Sequence, residues 1–181
     1  WKTTSLTAHR LVPPLRPVTE GSSFPRAVIV GGNGAVGALL ADSLIAFGTR
    51  EVLLVDPRPT SPRPGAVTST DDICRPSAKT LQAVEESDLV ILATPEPVAV
   101  QAASVLLSAM KQGALLVDTL SVKSRFAATL ATATTRAELL GINPMFAPSL
   151  GFAGRSVVAV PYAPGSAAEA FISFIAAQGS E

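Results

Sequence analysis

The segment Gly32-Asn33-Gly34-Ala35-Val36-Gly37 has the spacing G-x-G-x-x-G, and it decides the fold. An apolar run, residues 27–30, precedes it and predicts a buried parallel strand, while residues 38–47 predict a helix. In such a turn the first glycine permits a tight bend, the second lets the backbone approach a pyrophosphate, and the third lets helix and strand pack closely. Amides at the start of the helix then face the phosphates, where the helix dipole favours negative charge.

A second predicted strand, residues 51–55, ends on Asp56. Strand, glycine turn, helix, strand and acid form the first half of a dinucleotide-binding fold, in which the carboxylate accepts hydrogen bonds from a ribose diol. Asp56 favours NAD over NADP because it repels a 2′-phosphate, although Arg58 can pair with that phosphate and weakens the preference. Two alternatives stay open: the glycines serve packing alone, or Asp56 only begins the turn before Pro57.

Composition narrows the class of protein. The chain has 181 residues, of which 48% are hydrophobic and 15% charged, and 14 basic residues balance 14 acidic ones. This length suits one domain with a sizeable core, and the zero net charge argues against a nucleic-acid partner, which needs a basic surface. No apolar run approaches the roughly 20 residues that span a bilayer, so we expect no membrane partner. The lone Cys74 gives no disulfide and no metal cluster, and it fits a cytoplasmic location.

The chain divides into an arm and a domain. Residues 1–25 are rich in proline and predict an irregular N-terminal arm, which carries the only histidine, His9. Residues 26–181 predict a dinucleotide-binding domain of the α/β class, with a doubly wound, mostly parallel sheet of the Rossmann type. Beyond the first unit, the predicted strands are residues 66–68, 88–93, 114–118, 139–143 and 156–160, and the predicted helices are residues 77–86, 98–111, 122–134 and 167–177.

Ligands in such sheets bind past the carboxyl ends of the strands. Polar residues that end predicted strands are therefore candidates for the site, and these are Asp56, Thr94, Asp118 to Ser121, and Asn143.

Three further stretches carry a family resemblance: Asp88-Leu89-Val90-Ile91-Leu92-Ala93-Thr94-Pro95, Val117-Asp118-Thr119-Leu120-Ser121-Val122-Lys123 and Gly141-Ile142-Asn143-Pro144-Met145-Phe146-Ala147-Pro148. With the glycine turn, they resemble the prephenate and arogenate dehydrogenases of tyrosine biosynthesis over about residues 26–180. That family has D-x-x-S-V-K after one strand and H-P-M-F-G-P after the next. The resemblance implies NAD(P)-dependent oxidation of a cyclohexadienol, with loss of carbon dioxide as the ring becomes aromatic.

The resemblance also implies catalytic and substrate-binding roles for Ser121 and Asn143. In the family, the serine bonds the substrate hydroxyl, and the histidine of H-P-M-F bonds it as well and assists its deprotonation. Asn143 stands at the histidine position here, and an amide takes no proton near neutral pH. Prephenate oxidation should therefore be slow, and an amino-substituted substrate suits Asn143 better, since an amine needs no histidine to hold its proton. Ala147 replaces the family glycine, which is a milder change.

Further residues receive expected roles. Cofactor contacts are expected from the glycine turn, Asp56 and Arg58, and from Ala93, Thr94, Pro95 and Asp118. Lys123 is either a substrate or cofactor contact or a solvated helix residue, and Ser121 also looks like the N-cap of a helix that starts at Val122. Arg125 and Arg155 are either anchors for substrate carboxylates or surface residues. Met145 and Phe146 are expected to pack below the site.

Family members usually continue into a helical domain that supplies the dimer interface, part of the substrate pocket and a carboxylate-binding arginine. The sequence stops at Glu181, so we expect a monomer or weak dimer whose pocket a partner or missing domain closes. Three functions follow: a dehydrogenase for a prephenate-like or amino-substituted small molecule, a non-catalytic nucleotide-binding or regulatory module, and a different Rossmann reductase acting on an imine or β-hydroxyacid.

Overall fold

The computed structural model describes residues 22–59 and 61–181. Most of the predicted arm, including His9, therefore lies outside the described residues. Within residues 22–25, the described end of the predicted arm, the Phe24 side chain is buried, and its ring packs edge-on against Phe171 with centroids 5.9 Å apart. The Ser22 hydroxyl lies 3.0 Å from the Thr49 hydroxyl.

The described residues form a seven-stranded sheet with the order β3-β2-β1-β4-β5-β6-β7. Strands β1 to β6 run parallel, and β7 is antiparallel to β6. The strands are Arg26–Val30 (β1), Glu51–Asp56 (β2), Ala66–Thr70 (β3), Leu89–Leu92 (β4), Leu115–Asp118 (β5), Glu138–Pro144 (β6) and Val157–Ala163 (β7). The helices are Ala35–Ala46 (α1), Ala78–Glu86 (α2), Glu96–Ala109 (α3), Ser124–Ala131 (α4) and Ser166–Ala177 (α5), with a 3-10 turn at Pro148–Leu150. This architecture confirms the Rossmann-type fold.

Helices cover both faces of the sheet. Alternate residues of each strand point to opposite faces, so Val28 and Val30 join one apolar cluster while Ala27 and Ile29 join the other. The first cluster packs under α2, α3 and α4, and the second packs under α1 and α5. Strands buried on both faces explain why the sequence shows continuous apolar runs instead of alternation. Among the helices of the described segments, none combines the length and apolar character needed to cross a bilayer.

Several predicted bounds differ from the observed ones, and two of these differences change how a particular residue is explained. Helix α4 begins at Ser124 with Lys123 as its N-cap, so Ser121 does not cap it and residues 121–123 form a loop. Strand β7 does not stop at Pro161 but continues through it to Ala163. Because β7 pairs only with β6 and lies at the edge of the sheet, the missing amide of a proline is tolerated there.

The glycine turn brings α1 unusually close to β1. A Cβ built on Gly37 would collide with the carbonyl oxygen of Gly31, and one on Gly32 would lie 2.7 Å from the Cβ of Leu54. Gly31 itself has a φ of +84°, a backbone conformation that residues with a Cβ rarely adopt. Glycines are therefore required here for packing. This fits the alternative that they serve packing alone, and it does not exclude contact with a pyrophosphate.

We predict that Gly37→Ala lowers the free energy of unfolding by about 1–3 kcal/mol, because the new methyl group meets backbone that cannot yield. Urea denaturation measures this change. Gly34→Ala is the matched control: its Cβ would lie 3.2 Å from the same carbonyl oxygen, so its loss should stay below about 1 kcal/mol. If the two variants lost the same free energy of unfolding, the close contact between Gly37 and Gly31 would not be the reason for a glycine at position 37.

Candidate active site

The start of α1 lies open at the carboxyl edge of the sheet. Gly34 is the N-cap, in extended conformation, and no side chain caps the helix. The first amides of a helix have no partners within the helix, so they remain available to an anion at this position. Because Gly34 has no side chain, an anion at the start of α1 would contact the backbone directly.

Asp56 organises the loop beside this turn. Asp56 is only 3% exposed, and its carboxylate accepts hydrogen bonds from the backbone amides of Asn33 at 3.2 Å and Arg58 at 3.1 Å. Burial raises the pKa of Asp56, but the hydrogen bonds from Arg58 and Asn33 outweigh burial and hold the pKa below its usual value. The carboxylate is thus ionised and fixed at the end of β2, where the sequence predicts the ribose contact.

Asn33 ties the same loop to the glycine turn. Its side-chain amide donates to the carbonyl oxygens of Arg58 at 3.0 Å and Pro59 at 3.1 Å. The Arg58 side chain is 75% exposed, and its Nε lies 3.4 Å from the Asp56 carboxylate. Arg58 is therefore an exposed cation beside the carboxylate, on the loop that Asn33 holds.

The end of β4 faces the turn from the other side. The Ala93 amide donates to the Val30 carbonyl at 2.9 Å, and the Ala93 carbonyl oxygen lies against Gly31. The Thr94 hydroxyl is buried without a hydrogen-bond partner among residues 22–59 and 61–181, which is costly unless something else bonds it. Pro95 follows as the N-cap of α3.

Ser121 and Asn143 lie at the ends of neighbouring parallel strands. Ser121 is exposed in the loop after β5. Asn143 is half-buried near the end of β6, and its side-chain amide lies 3.1 Å from the Met145 sulfur. Because β5 and β6 pair in parallel, both residues face the same edge of the sheet as the glycine turn.

The predicted packing role of Met145 was wrong, while that of Phe146 is confirmed. Met145 is 61% exposed, because it lies in the loop that directly follows β6 at the carboxyl edge of the sheet. The Phe146 ring packs edge-on against the buried Phe152, with centroids 5.6 Å apart.

Asp118 and Lys123 are turned inward. Asp118 is fully buried, and its carboxylate accepts hydrogen bonds from the Lys123 ammonium at 2.7 Å, the Leu120 amide at 2.9 Å and the Tyr162 hydroxyl at 3.0 Å. Burial, together with the neighbouring Asp118 carboxylate, raises the pKa of Tyr162, so the phenol stays protonated and donates. In the structure the side chains of Asp118 and Lys123 bond groups inside the protein, and the expected cofactor contact of Asp118 and ligand contact of Lys123 stay predictions. Tyr162 was missed by the sequence analysis.

The two arginines considered as anchors differ in their surroundings. Arg125 is exposed on α4, whereas Arg155 is half-buried and its Nε has no hydrogen-bond partner within the described part of the chain. Cys74 is half-buried, and burial raises the pKa of its thiol, so it is unsuited as a nucleophile. No group of three His, Cys, Asp or Glu side chains that could hold a metal ion occurs in residues 22–59 and 61–181.

Comparison with known proteins gives the family. The family described as "Prephenate dehydrogenase, nucleotide-binding domain" matches residues 44–157, which contain Asp56, Thr94, Ser121 and Asn143. This chain belongs to it. The match begins within α1, so the glycine turn lies outside it.

One relative and two solved structures extend this result. The chain is 42% identical over 160 residues to 4-amino-4-deoxyprephenate dehydrogenase of Streptomyces pristinaespiralis, covering 88% of this chain and 54% of the relative. Prephenate dehydrogenase from Aquifex aeolicus superposes with a TM-score of 0.66 at 19% identity, covering 86% of this chain and 59% of that one. Arogenate dehydrogenase from Synechocystis gives 0.62 at 18% identity, covering 86% and 58%. The chain thus spans about half the length of these proteins.

We predict that Asp56→Asn lowers the free energy of unfolding at pH 7 by about 1.5–3 kcal/mol, because hydrogen bonds to a charged group are lost or weakened. The lowered folded-state pKa means that the stabilisation by Asp56 is present above its ordinary pKa of about 4 and is lost as pH falls below it. Urea denaturation between pH 3 and 7 should show wild type and variant converging at the acid end.

Asp42→Asn is the control for this prediction. Asp42 is paired with Arg63 but its side chain is 60% exposed, so its replacement should change the free energy of unfolding by less than about 1 kcal/mol. A difference between wild type and Asp56→Asn that stays constant with pH would contradict the assigned ionisation.

Proposed function

We propose that this chain is the nucleotide-binding half of an NAD-dependent dehydrogenase that oxidises a cyclohexadienyl amine related to prephenate, with decarboxylation. Asn143 at the histidine position of the family motif carries this proposal. The activity belongs to the protein that contains this domain, since relatives are about twice as long. We further propose that residues 22–181 work as one domain and that a second polypeptide segment or partner closes the substrate pocket. This chain alone would then be a monomer or weak dimer.

The residues at the carboxyl edge fit a nicotinamide dinucleotide. The uncapped start of α1 and the bare backbone at Gly34 would hold the pyrophosphate. Asp56 would accept from the adenosine ribose, while Ala93, Thr94 and Pro95 would meet the nicotinamide half. The Thr94 hydroxyl has no hydrogen-bond partner among the residues that the structure describes, which supports this fit because a bound ligand would satisfy it. The cofactor would supply a hydride acceptor, and a related structure of prephenate dehydrogenase from Aquifex aeolicus holds NAD+ with hydroxyphenyl propionate.

The side chain of Asn143 suits an amine better than an alcohol. A protonated carbonyl is much higher in energy than an iminium, so a ring carbon that bears a hydroxyl loses hydride readily only when a base such as a histidine takes the hydroxyl proton, which returns to the phenolate oxygen after carbon dioxide has left. When the ring carbon bears an amine, the ammonium form first loses a proton to water, and hydride loss from the neutral amine then gives an iminium that keeps both N–H bonds. Cleavage of the bond to the ring carboxylate then releases carbon dioxide and returns the electron pair through the ring to nitrogen, which yields the aromatic amine. Asn143 needs only to accept an N–H bond with its carbonyl oxygen.

Ser121 would complete the contact from the neighbouring strand. Its hydroxyl both donates and accepts hydrogen bonds, and its exposed position leaves it free for a ligand. Together, Ser121 and Asn143 would orient the nitrogen so that its lone pair and the departing hydrogen are aligned. Because orientation contributes a large share of such rate enhancements, a site without a general base can still serve this reaction. The name of the Streptomyces pristinaespiralis relative supports an amino-substituted substrate.

We predict that the protein reduces NAD with 4-amino-4-deoxyprephenate at least about a hundred-fold faster than with prephenate, because only the alcohol needs the missing general base. Asn143→His should raise kcat/KM for prephenate by about tenfold or more and lower it for the amine. Absorbance of the reduced nicotinamide reports both reactions.

Ser121→Ala should lower turnover of the amine, whereas the control Ser124→Ala, at an exposed serine that starts α4, should leave it unchanged. Equal rates on both substrates, with no gain from Asn143→His, would overturn the substrate proposal while leaving the family intact.

We predict that Arg58→Ala weakens binding of NADP by about tenfold, a loss of roughly 1.4 kcal/mol that matches one charge-assisted hydrogen bond, and leaves binding of NAD within about twofold. The reason is that the exposed Arg58 guanidinium can pair with a 2′-phosphate, whereas NAD has none. Calorimetric titration of the two cofactors measures both constants, and Arg125→Ala serves as the exposed-arginine control. A wild-type preference for NADP would contradict the assignment of Asp56.

A second candidate is a nucleotide-binding regulatory module without turnover. The observation that favours it is again Asn143, because loss of the family histidine removes the usual base. This candidate predicts binding of NAD with no reaction on either ring substrate, so the same absorbance assay separates the two proposals when binding is measured in parallel.

A further inference from the structure

A buried ion pair joins the two strand ends that carry Ser121 and Asn143. The Lys123 ammonium donates to the Asp118 carboxylate at 2.7 Å and to the Ile142 carbonyl oxygen at 3.0 Å. Its side chain is 13% exposed, and that of Asp118 is fully buried. Lys123 therefore bridges the loop after β5 and the end of β6 from within the protein.

Tyr162 and Gly141 close this cluster on its other sides. The Tyr162 hydroxyl on β7 donates to the second carboxylate oxygen of Asp118 at 3.0 Å. A Cβ built on Gly141 would lie 2.8 Å from each of three groups, the Asp118 carboxylate, the Lys123 ammonium and the Tyr162 hydroxyl. The glycine thus leaves just enough room for the three side chains to converge on one point of β6.

The residues that this cluster holds by hydrogen bonds are close neighbours of Ser121 and Asn143 along the chain. On the loop after β5, Asp118 fixes the Leu120 amide at 2.9 Å, directly before Ser121, and Lys123 is fixed two residues after it. On β6, the held carbonyl belongs to Ile142, directly before Asn143. Any shift of the loop relative to β6 must therefore break or stretch a bond to Lys123.

Stability alone does not explain this arrangement. Burying two opposite charges costs desolvation that their attraction only about offsets, and apolar residues of similar size often serve stability as well or better. What the pair provides beyond stability is a link between two strand ends, because the ammonium has several hydrogens and donates one bond to each end.

We infer that Lys123 is a positioning residue: held by Asp118 and Tyr162, it sets the placement of Ser121 relative to Asn143. Lys123 thus acts through Ser121 and Asn143 and does not itself contact the substrate. The consequence for the reaction rests on the proposed function, whereas the effect on the loop after β5 does not.

Lys123→Met tests the inference, with Lys111→Met as the matched control. Lys111 makes the same pair of bonds, to the Asp88 carboxylate at 2.6 Å and to the Glu86 carbonyl oxygen at 3.0 Å, but at the amino ends of the strands. Lys123→Met should lower kcat on the amine by about tenfold to a hundred-fold, as expected when reacting groups are misplaced by an ångström or less. Binding of NAD should stay within about twofold, since the glycine turn is untouched, and Lys111→Met should change neither.

The background of Ser121→Ala separates positioning from a general loss of structure. If Lys123 acts through Ser121, Lys123→Met should cost far less in kcat once Ser121 is already replaced, because interacting residues give non-additive effects. Additive losses would overturn the inference. Tyr162→Phe provides a milder variant, which should lower kcat in the same direction by a smaller factor, and which keeps the test available if Lys123→Met fails to fold.

Hydrogen exchange supplies a readout that needs no turnover. The amides of Thr119 and Leu120 are bonded to the Leu92 carbonyl and the Asp118 carboxylate, and they should exchange at least about tenfold faster in Lys123→Met but not in Lys111→Met. Unchanged exchange in both variants would overturn the inference. If the wild-type protein turns over neither ring substrate, the proposed function fails, and hydrogen exchange in residues 119–123 alone then decides whether Lys123 holds this loop.

Discussion

The close approach of α1 to the end of β1 is the constraint on which the ligand-facing edge depends. Gly37 lies so near the Gly31 carbonyl that no side chain fits between them, and this contact sets where the helix begins. The start of α1 in turn fixes the direction of its free amides and the position of Asn33, which holds the loop after β2. The same short distance therefore sets both the packing of α1 and the direction of its dipole, since a helix held further away would present its dipole elsewhere.

The two buried carboxylates at this edge illustrate how context separates similar residues. Asp56 and Asp118 both end strands, and both carry negative charge into a position with little solvent. Asp56 is held by hydrogen bonds from backbone amides and lies beside an exposed arginine at the surface of this edge. Asp118 pairs with Lys123 and accepts a hydrogen bond from Tyr162, and these side chains enclose it. Each buried carboxylate is thus compensated by a different set of partners, as a buried charge requires.

The sequence was sufficient for the sheet and insufficient for the polar interior. Continuous apolar runs and the glycine turn reflect local requirements, so the strands and the Rossmann-type order were predictable. The cluster around Asp118 depends on Tyr162, which lies 44 residues away along the chain, and no local pattern reports such a contact. One signal was present: Gly141 interrupts an apolar strand, and a glycine there often marks the close approach of another group. The loop at Ser121 was misplaced because a serine before an apolar residue looks the same in a cap and in a turn.

Asn33 has a consequence for the chemical lifetime of the protein. It is followed by Gly34, and an asparagine before a glycine is the side chain most prone to spontaneous deamidation, because the neighbouring amide nitrogen can attack it unhindered. Deamidation would convert the Asn33 side chain, which donates to the Arg58 and Pro59 carbonyl oxygens, into a carboxylate that those oxygens repel. It would also add a negative charge beside Asp56. In the folded protein the two carbonyls restrain the amide and slow the attack. Deamidation would therefore begin in the unfolded fraction of the protein, and in the refolded protein it would first disturb the loop after β2.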